Sequence, residues 1–221
     1  MYAIAIDGPA GAGKSTIARR IASQLGWLYV DTGALYRAVG LSGLRRGVDT
    51  ASREAILPLL PQIKVELCYR DGEQRVLLDG EDVSEAIREN PASMAASNVS
   101  AMQEVRDYLF DLQQQIAREH NVVMDGRDIG TVVLPQAQVK IFLTAAPEER
   151  ARRRQRQLAE KGIQVDFNQL LEEVKQRDWQ DSHRDAAPLR QAEDAILCDT
   201  THLDLDQSVD QILQIVKERL S

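Results

Sequence analysis

The chain has 221 residues and carries 27 basic against 34 acidic side chains, a formal net charge of −7. This length suffices for one large domain, or for one domain with insertions, around a substantial core. The acidic balance argues against a protein that coats nucleic acid, since such binding depends on a basic surface. The sequence contains no apolar run of about 18 residues, and it begins with a predicted core strand. We therefore expect a cytoplasmic monomer that binds neither membrane nor nucleic acid.

The segment GPAGAGKS follows an apolar run over residues 2–6, which predicts a buried strand ending at Asp7. Its Gly-x-x-x-x-Gly-Lys-Ser spacing is that of a phosphate-binding loop, in which backbone N–H groups surround nucleotide phosphates. We expect the Lys14 ammonium to reach the terminal phosphates and the Ser15 hydroxyl to hold Mg²⁺. Apolar residues at helical spacing then predict a helix that stops at Gly26: Ile17, Ala18, Ile21, Ala22 and Leu25.

Short apolar runs along the chain predict the strands of a parallel sheet. They cover residues 3–6, 27–30, 122–124, 139–143 and 195–198. Helical patterns separate most of these runs, which indicates an α/β fold of the P-loop NTPase type, with helices on both faces of the sheet. The last helix is the clearest, because its apolar residues form one stripe: Val209, Ile212, Leu213, Val216 and Leu220.

The segment VELCYRDGEQRVLLDGED interrupts this alternation with two β-rich runs around an Asp71-Gly72 turn. This pattern predicts an antiparallel hairpin. We interpret it as an inserted, monophosphate-binding subdomain over about residues 58–91. The remaining core would comprise residues 1–57, 92–146 and 187–221, and a lid with its following helix would take up about residues 147–186.

Several charged residues follow predicted strands and suggest a second substrate. Right-handed crossovers place Thr32, Arg37, Arg127 and Asp128 at the same sheet edge as the phosphate loop. Guanidinium groups bind two phosphate oxygens at once and keep their charge, so these arginines indicate a second anionic substrate. Arg106 lies alone on a helix, and it could instead be a solvated surface residue.

Asp125 ends the strand VVMD, where an acidic residue can orient Mg²⁺ or its water ligands. Aspartates at strand ends are also common turn formers, and that alternative stays open.

The segment PEERARRRQRQLAEKG predicts a solvated, mobile helix that begins at Pro147. Such a helix could close over a triphosphate and exclude water, or it could be a salt-bridged surface helix. Beyond it, Arg177, Asp181 and Arg184 would share one helix face. They could contact ribose and phosphates, or pair among themselves.

Five segments in this order resemble the bacterial-type cytidylate kinases: GPAGAGKST, DTGALYRA, ASNVSAMQEVR, DGRDIGTVV and KQRDWQDSHR. The similarity covers nearly the whole chain, and its most specific marks are DGRDIGT and the hairpin insertion. The resemblance implies an enzyme that transfers the γ-phosphoryl group of ATP, with Mg²⁺ as cofactor, to CMP or dCMP.

The resemblance also implies residue roles. Lys14, Arg127 and Arg184 would be catalytic. ATP would be bound by Gly8, Pro9, Ala10, Gly11, Ala12, Gly13, Lys14, Ser15 and Thr16, with Arg154 from the lid, and the metal by Ser15 and Asp125. The acceptor phosphate would be bound by Arg37, Arg127 and Arg184, and the cytosine by Ser97, Arg106 and Asp128. The ribose would be bound by Arg177 and Asp181. The acceptor pocket would also be lined by Thr32 and Tyr36.

The chemistry of the base agrees with this set. Cytosine presents an amino donor that the Asp128 carboxylate can accept, beside two acceptors for Arg106 or Ser97. Uracil reverses two of these three groups, so we expect substantial rejection of UMP.

Two alternatives stay open from the residues alone. One is a P-loop kinase for UMP, AMP or a small metabolite, and the other is a nucleotide-dependent switch. A switch GTPase would carry an Asn-Lys-x-Asp guanine-binding segment, which this sequence lacks.

Overall fold

The structure is a computed structural model that describes residues 1–70, 72–160 and 162–220. The chain divides into two compact units, the first made of Met1–Tyr29 with His120–Ser221 and the second of Val30–Glu119. Each unit has its own hydrophobic core. The division into core, insertion and lid that the sequence predicts stays a prediction. None of the helices in the described part of the chain has both the length and the apolar character that a membrane crossing requires.

The described chain contains both strands and helices. In order, they are β1 (Ala3–Asp7), α1 (Lys14–Leu25), β2 (Leu28–Asp31), α2 (Thr32–Arg45), α3 (Arg53–Ile56), β3 (Val65–Arg70), β4 (Glu73–Leu78), β5 (Glu81–Asp82), α4 (Asn90–Ser100), α5 (Gln103–Glu119), β6 (Val122–Gly126), β7 (Val139–Thr144), α6 (Pro147–Glu160), α7 (Phe167–His183), β8 (Ile196–Asp199) and α8 (Leu205–Leu220). A π-helical turn, Ile129–Val133, follows β6.

The five predicted strands are confirmed, and they form one sheet in the order β2-β6-β1-β7-β8. β1 pairs in parallel with β6 and β7, and β7 pairs in parallel with β8. β1 and β6 are buried along their whole length. Burial on both faces explains why these strands have continuous apolar sequences instead of alternating ones.

Helices α1 and α8 contribute to the core of the first unit, as their apolar stripes predict. Ile17, Ala18, Ile21 and Ala22 of α1 are buried, and so are Val209, Ile212, Leu213 and Val216 of α8. Helix α1 ends at Gly26, whose left-handed conformation lets its N–H bond back to the last turn. The predicted end of α1 at Gly26 is confirmed.

The second unit contains the predicted hairpin, which is confirmed as part of a small antiparallel sheet in the order β3-β4-β5. Gly72 of the predicted turn has a positive φ of 77°, and its partner Asp71 lies outside the described residues. Buried residues of this sheet, among them Val76 and Leu78, join a core with Leu35 of α2 and Val99 of α4. The hairpin therefore belongs to the core of its own unit.

Gly40 lies where α2 packs closely against α4. A Cβ atom at this position would lie 2.8 Å from Ala95 Cβ and 3.0 Å from both the Ala95 carbonyl carbon and the Ala96 nitrogen. Two of these atoms are backbone, so no side-chain rotation relieves the overlap. Although alanine favours helix, we expect Gly40→Ala to lower the free energy of unfolding by about 1–3 kcal/mol in urea titrations. Adding Ala95→Gly should restore part of the loss, and an unchanged stability in Gly40→Ala would contradict this packing.

Candidate active site

The loop between β1 and α1 has a backbone that only glycine tolerates at some positions. Gly8 has φ of 149°, and a Cβ atom on it would lie 1.9 Å from the Leu143 carbonyl oxygen of β7. Gly13 has φ of 95° and is the N-cap residue of α1. The glycines of the motif thus let the loop pass close over the sheet and turn directly into the helix.

The amino end of α1 is open to an anion. Among the described residues, no side chain caps this helix end by a hydrogen bond, so no side-chain cap satisfies the first N–H groups of α1. The positive end of the helix dipole lies at the same place. Together these features provide the phosphate-binding geometry that the sequence motif predicts.

Lys14 is buried beside this helix end, with only 6 % of its surface exposed. Its Nζ donates a 2.8 Å hydrogen bond to the Pro9 carbonyl within the loop. Burial, followed by the charge of Arg127, lowers the pKa of Lys14 to about 7, and the carboxylates of Asp125 and Asp181 partly offset these effects. A site that disfavours its own positive charges is electrostatically suited to phosphate oxygens.

Ser15 and Asp125 form a pair of hard oxygen groups below the loop. The Ser15 hydroxyl donates to Asp125 Oδ2 at 2.9 Å, and the Tyr29 hydroxyl donates to Oδ1 at 2.9 Å. Magnesium is usually held by one or two protein oxygens together with substrate phosphates, so this pair fits Mg²⁺. Residues 1–70, 72–160 and 162–220 contain no cluster of three or more His, Cys, Asp or Glu side chains that could hold a metal alone.

Asp7 links the strand before the loop to the segment after β6. Its buried carboxylate accepts hydrogen bonds from the backbone N–H groups of Ile129, at 2.8 Å, and Gly130, at 2.7 Å. These two residues directly follow Asp128 and begin the π-helical turn. Asp7 therefore holds the backbone beside a predicted base-binding residue, although its position after an apolar run predicts only the end of a strand.

The charge of Asp7 should make stability depend on pH. Burial raises its pKa from 3.8 to about 6, the Asp128 charge adds to this, and the two backbone hydrogen bonds and Lys14 oppose it. The folded protein then holds the proton to a higher pH than the unfolded chain, so folding is disfavoured as pH rises from about 4 to about 6. This pKa difference corresponds to about 3 kcal/mol.

We expect Asp7→Asn to remove this pH dependence. Urea unfolding between about pH 4 and pH 8 should show the wild type losing stability relative to the variant as the pH rises. Asp210→Asn, at an exposed position on α8, is the matched control and should keep the wild-type profile. Parallel profiles for the wild type and Asp7→Asn would contradict the assignment.

Arg127 and Asp181 are brought together from β6 and α7. Arg127 Nε donates to Asp181 Oδ2 at 2.7 Å, and both side chains are mostly buried. Burial by itself raises the pKa of Asp181, but Arg127, with the charges of Arg177 and Arg184, lowers it below its usual value. Helix α7 includes both Arg177 and Asp181, as predicted. Arg184 is instead the C-cap residue of α7, and its Nε donates to the Ala187 carbonyl at 2.9 Å.

The prediction of a solvated Arg-rich helix is wrong at Arg150, which is only 3 % exposed. Its guanidinium donates to the Ala10 carbonyl of the loop at 2.9 Å and forms an ion pair with Asp178 of α7. Arg150 thereby connects α6, α7 and the phosphate loop. Arg154, the predicted ATP-binding residue, is exposed on the same helix.

Arg153 also lies near the loop. Its Nη2 donates to the Thr200 carbonyl at 2.7 Å, and its Nη1 would lie 3.9 Å from a Cβ atom built on Gly13. Nothing in an arginine run distinguishes Arg150 or Arg153 from its exposed neighbours, because helical phase relative to the loop decides which side chains turn inward.

The second unit holds the other predicted acceptor residues. Tyr36 and Arg106 are both buried, and the Arg106 guanidinium lies over the Tyr36 ring at 5.4 Å from its centroid. Thr32 is buried at the start of α2, Ser97 is half-buried on α4, and Arg37 forms a 2.7 Å ion pair with Asp31. The interpretation of Arg106 as a solvated surface residue is therefore wrong.

Comparison with known proteins points to one family. A family model described as cytidylate kinase matches residues 4–218. Proteins named cytidylate kinase from Caldicellulosiruptor bescii and Caldicellulosiruptor saccharolyticus are each 52% identical to this chain over 212 residues, which cover 96% of this chain and 94% of each relative. A solved shikimate kinase from Bacteroides thetaiotaomicron shares the fold, with a TM-score of 0.50 and 15% identity over 98% of both chains.

Proposed function

This chain belongs to the cytidylate kinase family, and on that premise we propose which of its residues perform each part of the reaction. The protein is an ATP-dependent phosphotransferase that phosphorylates CMP and dCMP, giving CDP or dCDP and ADP.

The phosphate loop of the first unit binds the triphosphate of ATP. The observation that carries this proposal is the buried Lys14 beside the uncapped amino end of α1. The residues from Gly8 to Thr16 other than Pro9, which has no N–H, supply backbone N–H groups, and Lys14 places one positive charge at the terminal phosphates. Arg154, which is exposed on α6, is the residue of that helix that the family resemblance assigns to ATP.

Ser15 and Asp125 hold Mg²⁺, because their oxygens are 2.9 Å apart and are of the type this ion prefers. When bound, the ion neutralises charge on the β- and γ-phosphates. Asp125 also keeps the Ser15 hydroxyl and the Tyr29 ring in place through hydrogen bonds.

Positively charged side chains stabilise the phosphoryl group during transfer. Asp181 holds Arg127 by its Nε atom, which fixes the direction of the guanidinium plane. As the family resemblance implies, Arg37, Arg127 and Arg184 bind the acceptor phosphate, and their charges offset the charge that develops during transfer. Phosphoryl transfer requires positioning and charge neutralisation more than a dedicated base.

The remaining acceptor residues select cytidine nucleotides. Asp128 accepts from the cytosine amino group, while Arg106 and Ser97 donate to its ring nitrogen and carbonyl. Arg177 and Asp181 contact the ribose, and Thr32 and Tyr36 line the pocket. We also propose that the enzyme acts in the cytoplasm and as a monomer.

An acceptor panel tests this function. Purified protein with Mg·ATP is given CMP, dCMP, UMP, AMP or no acceptor, and ADP and the nucleoside diphosphate are both measured. We expect ADP release to depend on CMP or dCMP and to match CDP or dCDP formation. Hydrolysis without an acceptor would favour a nucleotide-dependent switch, and faster turnover of UMP or AMP would favour a kinase of different specificity.

A further inference from the structure

Gln74 of β4 contacts the end of β2 within the second unit. Its side-chain Oε1 accepts a 2.8 Å hydrogen bond from the Asp31 backbone N–H, and its Nε2 donates a 3.3 Å hydrogen bond to the Asp31 carbonyl. One amide side chain thus satisfies both backbone groups of a residue 43 positions away. Such a two-sided bond fixes the position of Asp31 more tightly than either bond alone.

The two carboxylate oxygens of Asp31 accept hydrogen bonds from different groups. Oδ1 accepts from the Ala34 N–H and caps the amino end of α2 at 3.0 Å. Oδ2 accepts from Arg37 Nη2 at 2.7 Å. The orientation of Arg37 therefore depends on the position of Asp31.

The Arg37 guanidinium is closely surrounded, but one of its donors has no hydrogen-bond partner among the described residues. Its Nη1 would lie 3.1 Å from a Cβ atom on Gly33, so glycine at this position lets the guanidinium lie closer to the helix than a larger residue would. Its Nε is buried and has no hydrogen-bond partner among the described residues. Buried donors are normally satisfied, and one that is not suggests that the bonding of this guanidinium is completed by a ligand.

We propose that Gln74 is a positioning residue for the acceptor phosphate, acting through Asp31 on Arg37. This inference rests on the proposed function, in which Arg37 binds the phosphate of CMP. The proposal gives the inserted hairpin a specific role, because β4 carries the Gln74 amide that fixes the end of β2. Gln74 itself need not touch the nucleotide.

Gln74→Met tests the proposal, because methionine keeps the length of the side chain and removes both hydrogen bonds. We expect the KM for CMP to rise about 3- to 10-fold, as for the loss of one or two orienting hydrogen bonds, while the KM for ATP stays within about twofold. Inhibition by cytidine, which lacks the phosphate, should be unchanged. Gln62→Met, an exposed residue of the same unit whose amide bonds locally to the Pro58 carbonyl, is the matched control.

A double-mutant cycle with Arg37→Met shows whether Gln74 acts through Arg37. Gln74→Met should have no further effect on CMP binding when Arg37 is already methionine. Additive effects, an equal loss of cytidine inhibition, or a KM for CMP like that of Gln62→Met would each overturn the proposal.

Two safeguards keep the outcomes distinct. Should Gln74→Met unfold, Gln74→Glu replaces it, since it keeps the acceptor for the Asp31 N–H, removes the donor to the Asp31 carbonyl and adds a negative charge beside that carbonyl. It should also raise the KM for CMP, and an unchanged value would overturn the proposal. Absence of CMP turnover in the wild type would refute the proposed function itself, whatever the variants do.

Discussion

Lys14→Ala is expected to remove most turnover while leaving CMP binding nearly intact. The buried ammonium lies at the amino end of α1, where it would neutralise charge on the transferring phosphoryl group. Loss of one well-placed donor of this kind typically lowers kcat by about 10²–10³-fold. Steady-state kinetics with Mg·ATP and CMP, together with equilibrium binding of CMP, would measure the two effects separately.

The Lys14 variant should still fold, because burial already disfavours the lysine charge in the native state. Lys64→Ala removes an exposed lysine that pairs only with Glu66 among the contacts described, and it should keep wild-type kinetics. Turnover that survives in Lys14→Ala would mean that the loop is not catalytic.

Asp128→Ala is expected to abolish the preference for CMP over UMP. In the wild type, a buried carboxylate facing the uracil carbonyl would cost a few kcal/mol, or about 10²-fold in kcat/KM. Alanine removes the partner of the cytosine amino group and the repulsion of uracil together. The ratio of kcat/KM for the two nucleotides should therefore fall towards one, mostly through slower use of CMP.

The exposed Asp210 again provides the matched control, and Asp210→Ala should keep the wild-type ratio. An unchanged ratio in Asp128→Ala would show that cytosine is recognised by other residues. The Asp128 carbonyl accepts hydrogen bonds from the π-helical turn. The stability of Asp128→Ala should therefore be measured by urea unfolding alongside its kinetics.

Much of the fold was predictable because its signals are local. The parallel strands are buried on both faces and therefore have continuous apolar sequences, and α1 and α8 carry stripes of helical period. The phosphate loop is similarly local, since its glycines, Lys14 and Ser15 are consecutive. The placement of Asp125 and Arg127 was also predictable, because they lie at or just after the end of a strand whose position in the sheet follows from topology, while their roles stay predictions.

Other features depended on which side chains meet after folding. Arg150 and Arg154 are equivalent in an arginine-rich sequence, yet one turns towards Ala10 of the loop and the other towards solvent. Asp7 and Gln74 carry no motif of their own. Their importance comes from backbone groups more than 40 positions away, Ile129 for Asp7 and Asp31 for Gln74.

The sequence by itself therefore determined the fold class, the phosphate loop and the family, since each depends on residue types at fixed short spacings. Only the tertiary structure decided how the charged residues are held: Arg127 by Asp181 and Arg150 by Asp178. The physical reason is that burying a charge is costly unless a partner satisfies it, and the identity of that partner depends on packing between segments distant in sequence.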